Sequence, residues 1–596
     1  MGTSATLSQV SPQLTQQQGT EISVNGRLES VPWRQWQDAT GWHTEISDTG
    51  LRQIAGFDLL STNDPARQPI EWFSDFPTTP IVLDAQFDGK FRYLDTQELA
   101  DALGWQMETR ENTLYIQSFP SQVTAIRQGE QNWGHRLVVE LDRGTLWQLD
   151  RQNDRWIVKV DANINSAIRH HLSTQNLGNN IIYRKGECHS PQKKRVQRAI
   201  CISPTQSKLW TIEATADKTY LFLNLPVSQT PRIFTLAHPD RLVIDIGADP
   251  VVDRDILWMP GIRWQQRMIE LEDSRFPVIW LEIDRRQSQL EFKPIWTNPQ
   301  SQIGIAPLQE TAETWNAIAA INAGFFNRNT EQSLGAIRRD DRWYSSPILH
   351  RGAIGWDGVG NVEIDRLTLQ DEIVTADGQR ISLGYLNSGY AQMGASRYTP
   401  EWGKTYTPLS DNEIVVVVED DRVTQHLPGG TAGKTPVPIP TNGYLLAIRD
   451  HPDLANSFPI GIELAHEQTT LPASFDRYPQ ILAAGPLLLK NSRIVLDALA
   501  ERFNPYFAKG WASRSAMGIT KTGQFLLVIV RPDANGKGAT LRETAEIMQE
   551  LEAVDALNLD GGSSASLYLG GQLIDRVPRT AARVHNGLGV FLMPSR

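Results

Sequence analysis

The stretch Asn558-Leu559-Asp560-Gly561-Gly562-Ser563-Ser564 decides how the C-terminal half of this sequence is interpreted. It follows a helical pattern over residues 541–551 and a short apolar strand pattern over residues 554–559. The two glycines allow a tight turn and a close approach of a ligand to the backbone. A carboxylate and two hydroxyls therefore stand at the end of a buried strand, which is typical of a polar site on a sheet. Asp-Gly is also a common surface turn, so the neighbouring sequence has to decide between the two interpretations.

Length and composition restrict the class of protein. The chain has 596 residues, which predicts roughly three to five domains. Its net charge of -11 argues against a general nucleic-acid binder, which would carry a basic surplus. We expect no membrane span, because no apolar run approaches the ~18 residues that a spanning helix needs. The polar stretch Met1 to Gly19 has no apolar core, so no signal peptide is predicted in the given chain.

The two cysteines, Cys188 and Cys201, are separated by a basic stretch that looks like a loop. Their spacing would allow a small disulfide loop and would then indicate an oxidising compartment. Two free thiols are the alternative, and the sequence does not choose between them. Two cysteines with His189 do not make a tetrahedral ligand set, so we predict no metal site here.

Residues 1–20 are predicted to be a flexible tail, and residues 21–118 a small α/β module. The module begins with a strand at Ile22, and its helix carries Leu99 and Leu103 before a strand over residues 113–116. This order resembles the stalk-like domain first named from the N-terminus of copper amine oxidases. The resemblance implies a noncatalytic module of a bacterial envelope protein.

Residues 119–254 are rich in strand patterns, and one of these patterns occurs twice. Residues 136–141 and 241–246 both read as a basic residue, alternating β-branched residues and an acid. The pattern resembles the AMIN domain, a β-sandwich that localises envelope enzymes by binding cell-wall or other polysaccharide. A plain β-domain without a ligand fits the same residues equally well. Trp147, Trp156 and Trp210 are expected in its core rather than on a sugar-binding face.

From residue 255 onwards, separate motifs place polar residues at strand ends. Asn322 ends a buried strand and is followed by Ala323-Gly324-Phe325-Phe326. Its amide can both donate and accept hydrogen bonds, which suits a sugar hydroxyl or a phosphate oxygen, although an Asn that caps a turn is the plainer explanation. Further spaced motifs follow along the rest of the chain. Seven such motifs occur in all: Asn322 to Phe326, Arg351 to Gly355, Tyr398 to Thr405, Gly485-Pro486, Arg514 to Ile519, Asn558 to Ser564 and Arg583 to Asn586.

In this order the seven motifs resemble the phosphodiester glycosidase family, over residues 255–596. The resemblance implies a hydrolase that cuts the glycosyl C–O bond of a sugar 1-phosphodiester, with α-N-acetylglucosamine as the candidate sugar. Three details depart from the family pattern. Ala323 replaces a glycine, the Asp560 turn is one glycine shorter, and Ser513 stands where a proline commonly precedes Arg514.

The chemistry of such a cleavage assigns roles to the motif residues. A phosphate monoester is already a good leaving group, so arginines that grip its oxygens matter more than a strong general acid. We predict Asp560 as the nucleophile or the base that activates water, with Arg514 and Asn322 completing the catalytic set. His585 is a second-rank acid or base. The predicted substrate-binding residues are Arg351, Ser563, Ser564, Arg583, Asn586, Gly561 and Gly562.

The sequence therefore predicts a multidomain α+β protein with small α/β and β-sandwich N-terminal modules and a mixed α+β C-terminal domain. The predicted substrate is a sugar phosphodiester or polysaccharide, and the AMIN-like module is a candidate binder of cell-wall glycan. No cofactor or metal is predicted, and a divalent cation is left open. The expected location is periplasmic or extracellular. A noncatalytic polysaccharide-binding envelope protein is the alternative, and a metal-dependent nuclease or phosphatase is disfavoured because no cluster of carboxylates and histidines stands out.

Overall fold

The computed structural model describes residues 15–39, 41–74, 80–152, 155–164, 168, 182–187, 200–205, 209–287 and 289–593. The chain divides into two compact units, residues 1–256 with 533–536, and residues 257–532 with 537–596. None of the helices among the described residues is long and apolar enough to cross a membrane. The question of a disulfide between Cys188 and Cys201 falls outside the residues whose side chains are described.

The predicted α+β class is wrong, because the structure is predominantly β, with 50% of residues in strands and 10% in helices. The sheets are built largely from antiparallel neighbours, which need only tight turns between them and no crossover helices. The helical patterns in the sequence are real but few, and short strands separated by turns fill most of the chain. The predicted mixed α+β C-terminal domain is thus a stack of sheets with isolated helices.

The first unit contains a large sheet, two smaller sheets and a hairpin. The large sheet runs in spatial order through Asp58–Leu59, Arg67–Glu71, Ile81–Phe87, Arg92–Asp95, Trp42–Ser47, Arg27–Gln37, Thr15–Val24, Thr113–Gln117 and Gln106–Arg110. The next two run through Ala162–Ile164, Ser121–Gln131, Gly134–Leu141, Arg241–Ile246 and Arg232–Leu236, and through Trp147–Gln152, Arg155–Val160, Thr219–Leu223 and Trp210–Ala214. The hairpin pairs Ile182–Glu187 with Ile200–Thr205, and the described helices are Asp48–Ala55 and Gln97–Leu103.

The two copies of the repeated pattern, residues 136–141 and 241–246, lie on neighbouring strands of one sheet. Gly134–Leu141 pairs antiparallel with Arg241–Ile246, and Arg136 faces Asp245. The Arg136 guanidinium donates to both carboxylate oxygens of Asp245, at 2.7 and 2.8 Å. The repeated basic and acidic positions therefore pair across the sheet. Trp147, Trp156 and Trp210 are buried, as predicted.

The second unit holds the C-terminal motifs, and two of its sheets carry most of them. The larger runs through Arg254–Met259, Ile262–Glu270, Arg275–Ile283, Phe525–Val530, Arg514–Thr520, Ala553–Asn558, Leu487–Lys490 and Arg493–Ile494. The other runs through Leu290–Trp296, Asn586–Leu592, Ala319–Asn322, Leu567–Leu569 and Gln572–Leu573.

The remaining sheets of the second unit are smaller. One runs through Arg342–Ser345, Ile337–Arg339, Gln480–Ala483, Gly352–Trp356 and Val362–Arg366, and the next through Arg380–Leu383, Thr368–Thr375 and Leu464–Leu471. Another runs through Gly394–Tyr398, Gly443–Arg449, Ile414–Glu419 and Arg422–Pro428, and two-stranded pairs join Phe326–Asn327 to Gln332–Ser333 and Thr405–Tyr406 to Val437–Pro438. The described helices are Leu308–Thr314, Pro505–Lys509 and Leu541–Glu550, with short 3₁₀ turns at Pro452–Ser457, Ala473–Arg477, Gly562–Ser564 and Pro578–Thr580.

The predicted helix before the Asp560 turn is confirmed as Leu541–Glu550. Thr540 caps its first turn, because its hydroxyl accepts the Glu543 N–H while the Glu543 carboxylate accepts the Thr540 N–H. Ile547 and Met548 are buried on the face that packs against the eight-stranded sheet of the second unit. The helix thereby covers the strand Ala553–Asn558, which is the predicted strand that leads into the turn.

The buried carboxylate of Glu501 joins two sheets of the second unit, the eight-stranded sheet that contains Leu487–Lys490 and the five-stranded sheet that contains Gly352–Trp356. Its Oε2 accepts the Gly352 N–H at 2.8 Å, and its Oε1 accepts the Leu487 N–H at 2.9 Å. The Arg366 Nε also donates to Oε1, at 3.1 Å. Two backbone donors and a cation thus depend on one fully buried side chain.

We expect Glu501→Gln to lower the free energy of unfolding by about 1–3 kcal/mol, because the amide NH₂ would face a backbone N–H that now has an acceptor. Urea denaturation of the full chain measures the change. Glu550→Gln is the matched control, since Glu550 is an exposed acid and its ion pair with Arg267 is long, at 4.0 Å. Equal stability of the two variants would contradict the anchoring role of Glu501.

Candidate active site

The turn over residues 558–564 lies where the two large sheets of the second unit meet. Asp560 N–H donates to the Ala323 carbonyl at 2.8 Å, which joins the turn to the end of the Ala319–Asn322 strand. Leu559 N–H donates to the Ser515 carbonyl at 2.8 Å, and Gly562 N–H donates to the Ser513 carbonyl at 2.7 Å. Backbone hydrogen bonds therefore hold the turn against two different sheets.

Both glycines of the turn have a physical reason to be there. A Cβ at Gly561 would lie 2.7 Å from the Ser513 carbonyl oxygen, so the turn could not approach that strand. Gly562 has a φ of +67°, which L side chains rarely adopt. In this structure the two residues shape the turn, and their predicted role in substrate binding stays a prediction.

Asp560 presents its carboxylate in a half-buried position at the turn. Burial raises the pKa of this carboxyl from 3.8 to about 6. The Ser564 hydroxyl, the charge of Arg328 and the Gly561 N–H each act in the opposite direction, because they favour the ionised form. The carboxyl is thus oriented by two hydrogen bonds and titrates near neutrality, as an acid or base of a reaction would.

Arg514 begins the neighbouring strand and lies against the turn. The ladder between the two strands ends at the pair Ala516 and Asn558, and a Cβ added at Gly561 would lie 3.7 Å from the Arg514 Cδ. Its Nε donates to the Ala539 carbonyl at 2.9 Å, and its Nη2 donates to the Gly510 carbonyl. Burial lowers the pKa of Arg514 to about 10. Among the described residues Nη1 has no hydrogen bond, so it is the nitrogen available to a ligand.

Asn322 and Asn586 are buried, and their amides are occupied within the protein. Asn322 Nδ2 donates to the Asp560 carbonyl at 2.5 Å, while its Oδ1 accepts the Ser515 hydroxyl at 2.8 Å and the Ser566 N–H at 3.0 Å. Asn586 Oδ1 accepts the Gly324 N–H at 2.7 Å. The geometry gives both amides a positioning task, and their predicted direct roles with substrate remain predictions.

His585 is buried and neutral. Its Nε2 donates to the Gln302 carbonyl at 3.1 Å, and its Nδ1 accepts the Asn586 Nδ2–H at 3.1 Å. Burial lowers the pKa of His585 to about 4. The ring therefore holds Asn586 in place instead of exchanging protons near neutral pH.

Arg351 lies on an aromatic cluster formed by Phe325, Phe503 and Phe507. Its guanidinium carbon is 3.9 Å from the Phe503 ring centroid, and its Nε donates to the Glu501 carbonyl at 3.3 Å. Arg514 contacts the same cluster from the Phe507 ring, at 5.5 Å. The structure therefore brings the predicted residues Arg351 and Arg514 to one cluster, although the sequence separates them widely.

The predicted residues Ser563, Ser564 and Arg583 differ in exposure. Ser563 is exposed and Ser564 is buried. The Ser563 carbonyl accepts the Ala582 N–H at 2.8 Å, which places Arg583 beside the turn. Arg583 is exposed, and within the described part of the chain it has no ion pair. Its side chain is available to a charged ligand.

Three further arginines surround the turn, and the sequence analysis missed all of them. Arg328 is exposed, and its charge acts on the Asp560 carboxyl. Arg531 Nη1 donates to the Ser513 hydroxyl at 3.4 Å, and Arg576 Nη1 donates to the Ser563 carbonyl at 2.9 Å. Arg328 follows the predicted Asn322 to Phe326 motif almost directly, which was a usable signal. Arg531 and Arg576 stand in no motif, so their partners in space were needed to find them.

The charges of this group do not balance. The pKa of Arg531 is lowered to about 9, first by burial and then by the charge of Arg576. The buried Asp575 lies 3.5 Å from the Arg576 Nε, and burial raises the pKa of its carboxyl. One acid therefore faces two arginines beneath the turn, and an incoming anion would relieve their repulsion.

Residues 412–591 match the phosphodiester glycosidase family. The C-terminal part of the chain is a phosphodiester glycosidase domain. Two relatives carry the name N-acetylglucosamine-1-phosphodiester alpha-N-acetylglucosaminidase. The Mus musculus protein is 36% identical over 67 residues, 11% of this chain and 13% of that protein. The Bos taurus protein is 39% identical over 62 residues, 10% of this chain and 12% of that protein.

A crystal structure of a hypothetical protein from Synechocystis is similar over almost the whole chain. It is 39% identical, the alignment covers 97% of this chain and 100% of that one, and the TM-score is 0.85. This similarity extends to both units of the chain, while the two named relatives match only a short segment. The resemblance of residues 21–118 and 119–254 to stalk-like and AMIN modules stays a prediction.

The phosphodiester glycosidase match contains part of the site. Asp560 and Arg514 lie within it, as do Arg531 and Arg576, whereas Asn322 and the other residues before 412 lie outside it. Among the described residues, no group of three or more His, Cys, Asp or Glu side chains is placed to hold a metal ion. The prediction that the domain needs no cofactor stays a prediction.

We expect Asp560→Asn to raise the apparent melting temperature at pH 8 and to leave it unchanged near pH 4. The folded-state pKa of about 6 lies above the ordinary 3.8, so the folded protein loses stability as pH rises from about 4 to 6. The cost is fully present above pH 6, and an amide removes it because it stays uncharged. Thermal unfolding of the full chain at both pH values measures the difference. Asp453→Asn, at an exposed acid, is the control, and a variant less stable than the parent at pH 8 would show that the carboxylate is not strained by burial.

Proposed function

We propose that the phosphodiester glycosidase domain hydrolyses the bond between the anomeric carbon and oxygen of a sugar 1-phosphodiester. The observation that carries the proposal is the Asp560 carboxyl, half-buried with a pKa of about 6, beside several arginines in a domain of this family. A purely sugar-binding surface has no need of a carboxyl whose burial is costly. Because the named relatives match only short segments, the activity of the whole protein is part of this proposal.

Asp560 is proposed to act in its ionised form, as the nucleophile or as the base that activates water. Attack at the anomeric carbon passes through a state resembling an oxocarbenium ion, and the phosphate monoester leaves with the bonding electron pair. The Ser564 hydroxyl and the Gly561 N–H hold the carboxylate in one orientation. Such fixed orientation before reaction is a large part of what a protein contributes to catalysis.

The arginines are proposed to hold the phosphate. Arg514 offers Nη1, and Arg531 with Arg576 forms a group whose positive charge exceeds that of its single acid, Asp575. A guanidinium suits phosphate oxygens because it donates two parallel hydrogen bonds. Charge that builds up on the leaving phosphate in the transition state would be stabilised here without rearrangement of solvent. Arg328 and Arg583 are placed to contact the outer parts of the substrate.

The sugar and the location are the finer parts of the proposal. The names of the two relatives support α-N-acetylglucosamine as the sugar. The resemblance of the N-terminal sequence to envelope modules supports action in the periplasm or outside the cell, on an envelope glycan that the AMIN-like residues 119–254 bind.

Asp560→Asn is expected to lower the rate by at least ~10²-fold on the p-nitrophenyl phosphodiester of N-acetylglucosamine 1-phosphate, because the base or nucleophile is lost. The measurement is release of free sugar by the full chain, with sugar 1-phosphate quantified in parallel. In the same assay Arg531→Met is expected to reduce the rate through loss of phosphate binding.

Asp453→Asn is the control and should retain the activity of the parent, since Asp453 is an exposed acid on the Pro452–Ser457 turn. Release of sugar 1-phosphate would show attack at phosphorus and would overturn the proposed bond cleavage. Binding of sugar phosphodiesters without any turnover would favour the noncatalytic envelope protein instead.

The pH dependence follows from the same carboxyl. We expect kcat/KM to rise as pH increases through about 6, because Asp560 must lose its proton before it can act as base or nucleophile. Initial rates between pH 4.5 and 8.5 measure the profile of the free enzyme. A profile that falls with rising pH through this range would assign the general acid role to Asp560.

A further inference from the structure

One stretch beside the candidate active site exposes two large aromatic side chains. Tyr506 is 90% exposed and Trp511 is 66% exposed. Exposed aromatic rings of this size are costly to hydrate, and where they cluster they commonly mark a binding surface. Both occur at or next to the short helix Pro505–Lys509, which ends at Gly510.

The stretch is firmly attached to the site. The Gly510 carbonyl accepts a hydrogen bond from Arg514, and Ala512 pairs with Ala539. Phe507, which lies between the two in the sequence, stacks its ring on Phe503, with 4.8 Å between ring centroids. Tyr506 and Trp511 are therefore displayed on an anchored segment, a few residues before a site arginine.

Basic side chains accompany the two rings. Residues 502–512 contain Arg502 and Lys509 and no acid. The Lys537 ammonium lies 4.9 Å from the Trp511 ring centroid. An uncharged partner would gain nothing from these cations, whereas a glycan chain that carries phosphate would complement them.

We propose that Tyr506 and Trp511 form a platform for the glycan chain of a phosphate-bearing polysaccharide. The inference rests on the proposed function and extends it, because it assigns a polymer as the substrate class. Aromatic rings offer flat apolar faces to the C–H faces of sugars, and their Nε1–H and O–H groups remain available for sugar hydroxyls. The cations would attract the phosphates of the chain, so the phosphodiester to be cut would lie toward Arg514 and Asp560.

The test measures binding of phosphomannan to the full chain carrying Asp560→Asn, to which Tyr506→Ala, Trp511→Ala or Trp511→Phe is added. Each alanine substitution is expected to weaken binding roughly two- to tenfold, and Trp511→Phe to restore most of it, because an aromatic face is retained. Trp42→Ala is the matched control, since Trp42 is also an exposed aromatic, at 46%, and lies in the first unit. Mannan stripped of phosphate should bind more weakly than phosphomannan, and Lys537→Gln should reduce the difference.

The outcomes separate the platform from the proposed function. In a second experiment, Tyr506→Ala and Trp511→Ala are made in the active chain that retains Asp560. Each should lower kcat/KM more on phosphomannan than on the small p-nitrophenyl diester. Unchanged phosphomannan binding in both alanine variants, or an equal loss in Trp42→Ala, would overturn the platform even if the small diester is hydrolysed. If no phosphodiester is hydrolysed but phosphomannan binding still depends on Trp511, the proposed function fails while the platform stands.

Discussion

The candidate site depends on the hydrogen bonds of one buried amide, that of Asn322. It donates to the carbonyl of Asp560 and accepts from Ser515 and Ser566, so it joins the end of its own strand to the turn, to the segment after the turn and to the Arg514–Thr520 strand of the other sheet. An amide is suited to this because it carries donors and an acceptor on one rigid plane. A side chain of one polarity would leave buried backbone groups unpaired. The position of the Asp560 carboxylate is thus set by a residue more than two hundred positions away in the chain.

Around this junction the electrostatics of the site are dominated by burial. Burial raises the pKa of Asp560 and lowers the pKa of Arg514 and Arg531, so the charged form of each group is disfavoured. The effects on the pKa are of opposite sign for the acid and the bases, and a bound anion would relieve only the cost at the arginines. A site that is electrostatically unfavourable without its ligand gains the most when the ligand arrives.

Local patterns in the sequence predicted local structure well. The helix Leu541–Glu550 and the strand Ala553–Asn558 follow from apolar periodicity, and both are confirmed. The predicted fold class was wrong because it gave two recognisable helices too much weight against many short strands. The pairing of those strands cannot be deduced from local sequence periodicity. Arg531 and Arg576 escaped for a related reason. Each stands just beyond the end of a strand or turn without a motif around it, and only the tertiary contacts of Ser513 and Ser563 reveal that they belong to the site.

The sheet order also shows that the site needs more of the chain than the segment that matches the family. Ala319–Asn322 lies between Asn586–Leu592 and Leu567–Leu569 in its sheet, so a strand from before residue 412 separates two strands from within the matched range. The same strand carries Asn322, and the Asp560 N–H reaches the carbonyl of Ala323 directly after it. Residues 412–591 alone would therefore leave an interior strand position empty and the Asp560 turn without one of its two supports. The matched range contains most of the polar residues of the candidate site. The sheet that supports them also needs the strand Ala319–Asn322, which lies before that range.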